Sequence, residues 1–465
     1  MSNELWKMSA TDLAAAIRGK QVTSREVVEA HLRRIEQVNP GLNAVVVTLA
    51  DDALRGAEAA DRELSAGGRL GPLHGVPFTI KENIDLAGSA TTQGIAAMAE
   101  AIPPLDAPQV AQLKAAGAIP IGRTNLPDFG LRWHTDNGLR GATKNPWDPT
   151  RTPGGSSGGE AVALATGMTP LGLGNDLGGS LRWPTQCNGV AALKPSMGRI
   201  PDATSLPPEE ATLTLQLMAV QGPMARYVRD LRAAFESMIG PDARDPLHTP
   251  APFRSPEAPK RVAVTIDPAG EGVDEDVAAG VRRAADALKD AGYEIIDIDP
   301  PLVAEARDVW AQLLLAEVRT GLLPVLQQVA CADALVFLNH ALGTVPELDY
   351  GGYIMGWAQR QGIAKAWSQF QAQFPIILGP VSCGQPFEVG FDLEPGGPAA
   401  LLKDLRLVVT LNFLGLPAAV VPVGVANGLP QAVQVIGGRF REDLCLDAAE
   451  AIEARIGPLT PIDPR

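Results

Sequence analysis

Three short stretches carry side chains able to do covalent chemistry. In GNDLGGSLRWP (174–184), Ser180 stands directly behind two glycines and just ahead of Arg182. A serine there closes a turn, caps a helix or attacks a carbonyl. If it attacks, a base must take its proton, because an unactivated hydroxyl is a poor nucleophile. The five histidines, His31, His74, His134, His248 and His340, all lie outside this stretch. In TPGGSSGGEAVALATGM (152–168), glycine pairs bracket Ser156 and Ser157 ahead of a small-residue helix. A flexible linker and a helix cap both fit that pattern. A phosphate loop does not, since GxxxxGK[ST] requires a lysine after its last glycine, where Glu160 stands here. In HGVPFTIKENID (74–85), Lys81 ends a short apolar run. A lysine at a strand end is commonly solvated, and at its ordinary pKa of about 10.4 it is charged and useless as a base.

The surrounding elements alternate. Thr23-Ser-Arg-Glu26 is a capping-box pattern, and Val28, Leu32, Ile35 and Val38 follow at helical spacing until Asn39-Pro40-Gly41. From about residue 71, β-like runs such as VPFTI (76–80) and AIPIG (118–122) alternate with helical stretches such as PQVAQLKAAG (108–117). The same grammar returns in RVAVTID (261–267), DEDVAAGVRRAADALKDAG and YEIIDID (293–299). This predicts an α/β fold with helical crossovers. Residues 1–65 read as a helical N-terminal segment, and about 300–375 as a helical insertion rich in aromatics, among them Trp310, Phe337, Tyr353 and Trp357. No linker divides the chain, so one domain is expected over 1–465.

Composition bounds the partners. The formal net charge is −14, which argues against nucleic acid and against anionic membranes, both of which need a basic surface. Cys187, Cys331, Cys383 and Cys445 are scattered, with neither CxxC nor metal spacing, so reduced thiols and a cytoplasmic location are expected. The first twenty residues carry charges throughout and show no signal-peptide core. LVVTLNFLGLPAAVVPVGVA (407–426) has no charged residue, but Asn412, Gly415, Pro417, Pro422 and Gly424 interrupt it. It reads as two buried strands with a turn and not as a membrane span.

Taken in order, GPLHGVPFTIKENIDLAGSATTQG (71–94), GRTNLPDFG (122–130), GGSSGG (154–159), GLGNDLGGSLRWP (172–184), ALKPSMGRIP (192–201) and FLGLPAAVVPVGVANGLPQAVQVIGGRF (413–440) resemble the amidase signature family. The likeness is weakest between 300 and 400. It implies a single large mixed, mainly parallel sheet flanked by helices. The signature core would occupy 71–201, a variable substrate-side region 300–390, and a C-terminal return to the core 405–455.

The resemblance makes Ser180 the nucleophile, Ser156 a bridging serine on a cis Gly155–Ser156 bond, and Lys81 the base. It places an oxyanion hole at the backbone of Leu177, Gly178, Gly179 and Ser180, with Ser157, Asp176 and Arg182 in support. The physical logic is independent of the family. Burial favours the neutral amine, so a dry slot lets Lys81 accept a proton from Ser156, which takes one from Ser180. Backbone N–H groups can aim closely at a developing oxyanion only where side chains are absent. Asn175 stands where the family commonly has threonine, Leu177 where it has threonine or isoleucine, and Glu82 where it has aspartate. Trp183 reads as packing.

The expected reaction is hydrolysis of a small-molecule amide to a carboxylate and ammonia or an amine, with esters as side substrates and no metal or organic cofactor. Two alternatives stand: the amidase subunit of a tRNA-dependent amidotransferase, and a non-catalytic binding protein on the same scaffold. A Ser-His-Asp hydrolase is disfavoured because GNDLGGS is not a GxSxG elbow. Primary, aryl and cyclic amides stay open as substrates, and the resemblance allows a homodimer.

Overall fold

The computed structural model describes residues 4–465. Near the N-terminus, helices Ala10–Arg18, Ser24–Leu42 and Ala50–Ser65 pack over one end of the sheet. The capping box forms as expected: Thr23 accepts from the Glu26 amide, and the Glu26 carboxylate accepts from the Thr23 amide. Two details differ from expectation. The helix runs through Pro40 to Leu42, because a proline in the last turn deletes only one hydrogen bond, and Asn43 then ends it in the left-handed region. The segment is also not wholly helical, since the β-branched run VVVT forms strand β1, Val45–Thr48.

One eleven-stranded sheet takes strands from nearly the whole chain. After β1 come β2 (Pro77–Lys81), β3 (Ile119–Thr124), β4 (Leu171–Asp176), β5 (Ala191–Lys194) and β6 (Val220–Ala225). The remainder are β7 (Arg261–Val264), β8 (Glu294–Asp297), β9 (Ile376–Pro380), β10 (Ala418–Ala426) and β11 (Leu429–Gly437). Their spatial order is β1-β3-β2-β4-β6-β5-β10-β11-β9-β7-β8. The sheet is mixed and flanked by helices. Parallel blocks β3-β2-β4 and β9-β7-β8 are joined through antiparallel pairings, and β1 adds antiparallel to β3. Every residue of β2, β9 and β11 is buried, as strands covered on both faces must be.

The segment 407–426 corrects the sequence reading. Its first half is not a strand but part of the buried helix Arg406–Leu414, and only Ala418–Ala426 is extended. A short apolar run does not distinguish the two by periodicity. Gly415, in the left-handed region, makes the break between them. The expected helical insertion comprises Val303–Glu317, Leu323–Val329, Ala332–Leu342 and Tyr350–Gln371. Among the described residues, the continuous helical run 303–329 is the one long and apolar enough to cross a membrane, and a third of its most apolar stretch is buried in the fold.

This topology sets up the site. β2 and β4 are parallel neighbours, with Ile80 opposite Leu173, so Lys81 and the loop after Asp176 emerge side by side at carboxyl ends. Crevices beyond the carboxyl ends of parallel strands are where α/β sheets hold ligands.

Candidate active site

Lys81 is fully buried at the end of β2, and its Nζ lies 2.6 Å from Ser156 Oγ and 2.7 Å from Asn175 Oδ1. Asn175 is itself fixed, since its Nδ2 donates to Asn83 Oδ1 at 3.0 Å. The Gly155–Ser156 peptide is cis. A side chain at residue 155 would collide with the backbone, because a Cβ there would lie 2.5 Å from Arg132 O. The Ser157 amide donates to Ser180 C=O at 3.3 Å, tying the two serine loops together. Ser157 also begins the helix Gly158–Ala165, so the capping alternative holds for its position, although its side chain makes no cap bond. Ser180 retains 8% exposure against 2% for Ser156 and none for Lys81, so accessibility falls from Ser180 inward.

Burial pulls the Lys81 amine down from 10.5 to about 7, against the opposing charges of Asp176 and Glu160. Glu160, which sequence reasoning used only to exclude a phosphate loop, sits fully buried in the same interior. Its carboxylate accepts from the hydroxyls of Thr79 and Thr124, and burial nonetheless raises it to about 7. An amine near 7 is half neutral at neutral pH and can accept a proton.

Asp176 and Arg182 form a buried ion pair, with Arg182 Nε and Nη2 reaching the carboxylate at 3.1 and 3.0 Å. Arg182 also donates to Gln434 Oε1, Val408 O and Asn412 Oδ1. Burial pushes the Asp176 carboxyl up, but the Arg182 charge and hydrogen bonds outweigh it and hold the group well below the usual carboxylate range. The same carboxylate accepts from the amides of Gly179 (2.8 Å) and Leu181 (3.0 Å). This corrects one expected oxyanion donor: the Gly179 N–H is engaged by Asp176. Gly179 instead serves geometry, with φ +98° and a position where a Cβ would lie 2.4 Å from Val408 Cγ1.

Trp183 is buried in the core and stacks on Phe387. His134 bonds Thr152 and His74 bonds Ala60 O, so neither is joined to Lys81, Ser156 or Ser180. Among the described residues, no group of three or more His, Cys, Asp or Glu side chains is arranged to hold a metal ion. A cavity of about 290 Å³ beside Arg151 and Phe387 and one of about 500 Å³ beside Gln112 and Glu236 include none of the three site residues.

Aromatic side chains crowd the loop before Ser180. Trp133 meets Phe337 edge-on with centroids 6.1 Å apart, and the Trp310 ring borders Gly178 so closely that a Cβ there would lie 2.8 Å from it. Leu177, Tyr353 and Trp357 pack, with Trp133, against the buried cluster that contains Trp310. Asn83 and Glu160 were not anticipated as site neighbours, whereas Trp133 lies in the segment 131–137, which the family resemblance makes one of the pocket walls. Asn175 was signalled by its departure from threonine.

The Amidase family profile matches residues 26–446. An indoleacetamide hydrolase of Bradyrhizobium diazoefficiens is 44% identical over 98% of this chain and 88% of its own length. A glutamyl-tRNA(Gln) amidotransferase subunit of Chloroflexus aurantiacus is 32% identical over 97% of both chains. Among solved structures, 6-aminohexanoate cyclic dimer hydrolase superposes with a TM-score of 0.84 at 27% identity, covering 99% of each chain. A bacterial aryl acylamidase of the amidase signature enzymes gives 0.84 at 26% identity, covering 97% and 96%.

Proposed function

The chain belongs to the amidase signature family and is a hydrolase acting on amides, and from that premise we propose that it cleaves a small primary arylacetamide of the indoleacetamide kind to arylacetate and ammonia. The observation that carries the mechanism is the buried 2.6 Å contact between Lys81 Nζ and Ser156 Oγ beside the loop that presents Ser180. Neutral Lys81 takes the Ser156 proton as Ser156 takes that of Ser180, and Ser180 Oγ bonds to the amide carbon. The amides of Leu177, Gly178 and Ser180 face the oxyanion. On collapse the C–N bond breaks, and the relay returns the proton to the departing nitrogen as ammonia. Water then attacks the ester, the relay takes its proton, and cleavage of the carbon–Oγ bond restores Ser180 and releases the carboxylate.

Two things support the aryl substrate: the 44% identity to a protein named for indoleacetamide, and the aromatic side chains of Trp133 and Trp310 at Gly178, with Phe337 edge-on to Trp133. Ammonia release from indoleacetamide, phenylacetamide, glutamine, an anilide and a cyclic amide tests the reading. Arylacetamides should lead the panel, and Ser180→Ala should abolish turnover. Faster release from glutamine would overturn it in favour of the amidotransferase reading, and retained turnover in Ser180→Ala would remove the nucleophile.

A further inference from the structure

The loop that must hold an oxyanion is built from the least restrained residues available, because glycine costs more backbone entropy to order than any other residue. Something has to fix Gly178 and Gly179. The peptide unit between them is gripped at both ends: the Trp133 indole Nε1 donates to Gly178 C=O at 2.9 Å, and the Gly179 N–H donates to Asp176 Oδ1 at 2.8 Å. The next peptide is aimed as well, since Gly179 C=O accepts from the Trp183 amide at 2.7 Å. In a planar trans peptide the C=O and N–H point in opposite directions. Fixing Gly179 C=O toward Trp183 therefore turns the Ser180 N–H the other way, and gripping the peptide at 178–179 sets the torsions on either side of it.

Trp133 is itself anchored. Its carbonyl accepts from Trp183 Nε1 at 3.0 Å, and its ring meets Phe337 of the helix Ala332–Leu342 at 88°. It is half-buried, bridging Trp183 of the helix Arg182–Asn188 on one side and the cluster that contains Trp310 on the other.

We propose that Trp133 is a positioning residue for the amide hydrolysis: its indole N–H holds the Gly178–Gly179 peptide so that the flanking amides of Gly178 and Ser180 converge on the developing oxyanion. The proposal rests on Ser180 as nucleophile and on a hole built from the amides of Leu177, Gly178 and Ser180. Trp133 forms no bond with the reacting atoms. Its effect belongs to the transition state, because the hydrogen bonds it aligns strengthen as negative charge develops.

Two variants test it on the full-length enzyme. Trp133→Phe keeps a ring against Phe337 and removes the N–H. Replacement of the Trp133 indole by benzothiophene, with sulfur in place of the N–H, leaves shape and packing unchanged. The expected result in both is a fall in kcat of about tenfold or more, with KM for the arylacetamide changed by less than about threefold. An arylboronic acid, which mimics the tetrahedral adduct on Ser180, should lose affinity by a comparable factor, while the arylacetate product should bind as before. A kcat within twofold of the parent in the benzothiophene enzyme overturns the proposal, as does a loss confined to KM. The two failures separate cleanly. Turnover surviving in Ser180→Ala removes the catalytic reading, whereas an inert Ser180→Ala with a normal benzothiophene enzyme removes only the clamp.

Discussion

If Lys81 is the base, the pH dependence of kcat/KM should betray its burial. Burial lowers the Lys81 amine from 10.5 to about 7. At pH 7 about half of it is then neutral, whereas a solvated lysine would be neutral in about one molecule in three thousand, a difference of roughly 10³ in rate. The active form is the deprotonated one, so kcat/KM should rise with unit slope from pH 5 and level off above about 7. The carboxylates of Asp176 and Glu160 face the amine and favour its charged form, and Arg123 in turn opposes the rise of Glu160. Glu160 itself lies at about 7, so the macroscopic limb belongs to the pair. Glu160→Gln isolates the lysine: with one favouring charge removed, the limb should move to lower pH. The assay is continuous ammonia release from an arylacetamide between pH 5 and 10.5, at subsaturating substrate. A limb still climbing beyond pH 10 would refute a buried neutral lysine, and a limb unmoved in Glu160→Gln would refute the assigned electrostatics.

The same shift has a stability counterpart. The native state resists protonating Lys81 between about 7 and 10.5 while the unfolded chain does not, so stability tied to this group is present above 10.5 and lost as pH falls through 7. Lys81→Met should therefore be inactive yet stabilised at neutral pH, by a few kcal/mol after allowing about 1–3 for Asn175 left unpaired, and the gain should vanish near pH 10.5 by thermal unfolding. Gly179→Ala forces a Cβ to 2.4 Å from Val408 Cγ1 at φ +98°, so it should lower both Tm and activity, with Val408→Ala restoring part of the loss. Arg182→Met leaves the buried Asp176 carboxylate without its cationic partner and should cost about 3–5 kcal/mol in denaturant unfolding. Arg182→Lys, which keeps the charge, should recover part of that stability in the same measurement.

What the sequence made legible was local. The Thr23–Glu26 box, the strand before Lys81 and the glycines flanking Ser156 and Ser180 are patterns a few residues long, and each constrains its own backbone. The helix Arg406–Leu414 escaped because it is buried on all sides, so no polar face marks its period. The contacts of Trp133 escaped for another reason: they reach Gly178, Trp183 and Phe337 in distant segments, and no local spacing encodes them. Asn175 fell between these cases. Its departure from threonine was visible, but its grip on Lys81 and its anchor on Asn83 needed β2 and β4 to lie side by side.

Two demands on this site conflict, and Arg182 meets one of them. The loop carrying Ser180 is organised by a carboxylate, since Asp176 receives the amides of Gly179 and Leu181. That carboxylate must stay ionised to hold them. Yet an unopposed negative charge beside Lys81 would favour the protonated amine and disable the base. Arg182 lies on the same carboxylate through two hydrogen bonds and is held by Gln434, Val408 and Asn412, so its own position does not depend on the loop. It keeps Asp176 charged and so able to hold both amides. At Lys81 itself, burial is the dominant influence, with the Asp176 and Glu160 charges only partly opposing it. On the proposed reading, the arginine two residues past Ser180 thus acts through the loop, holding ionised the carboxylate that organises it.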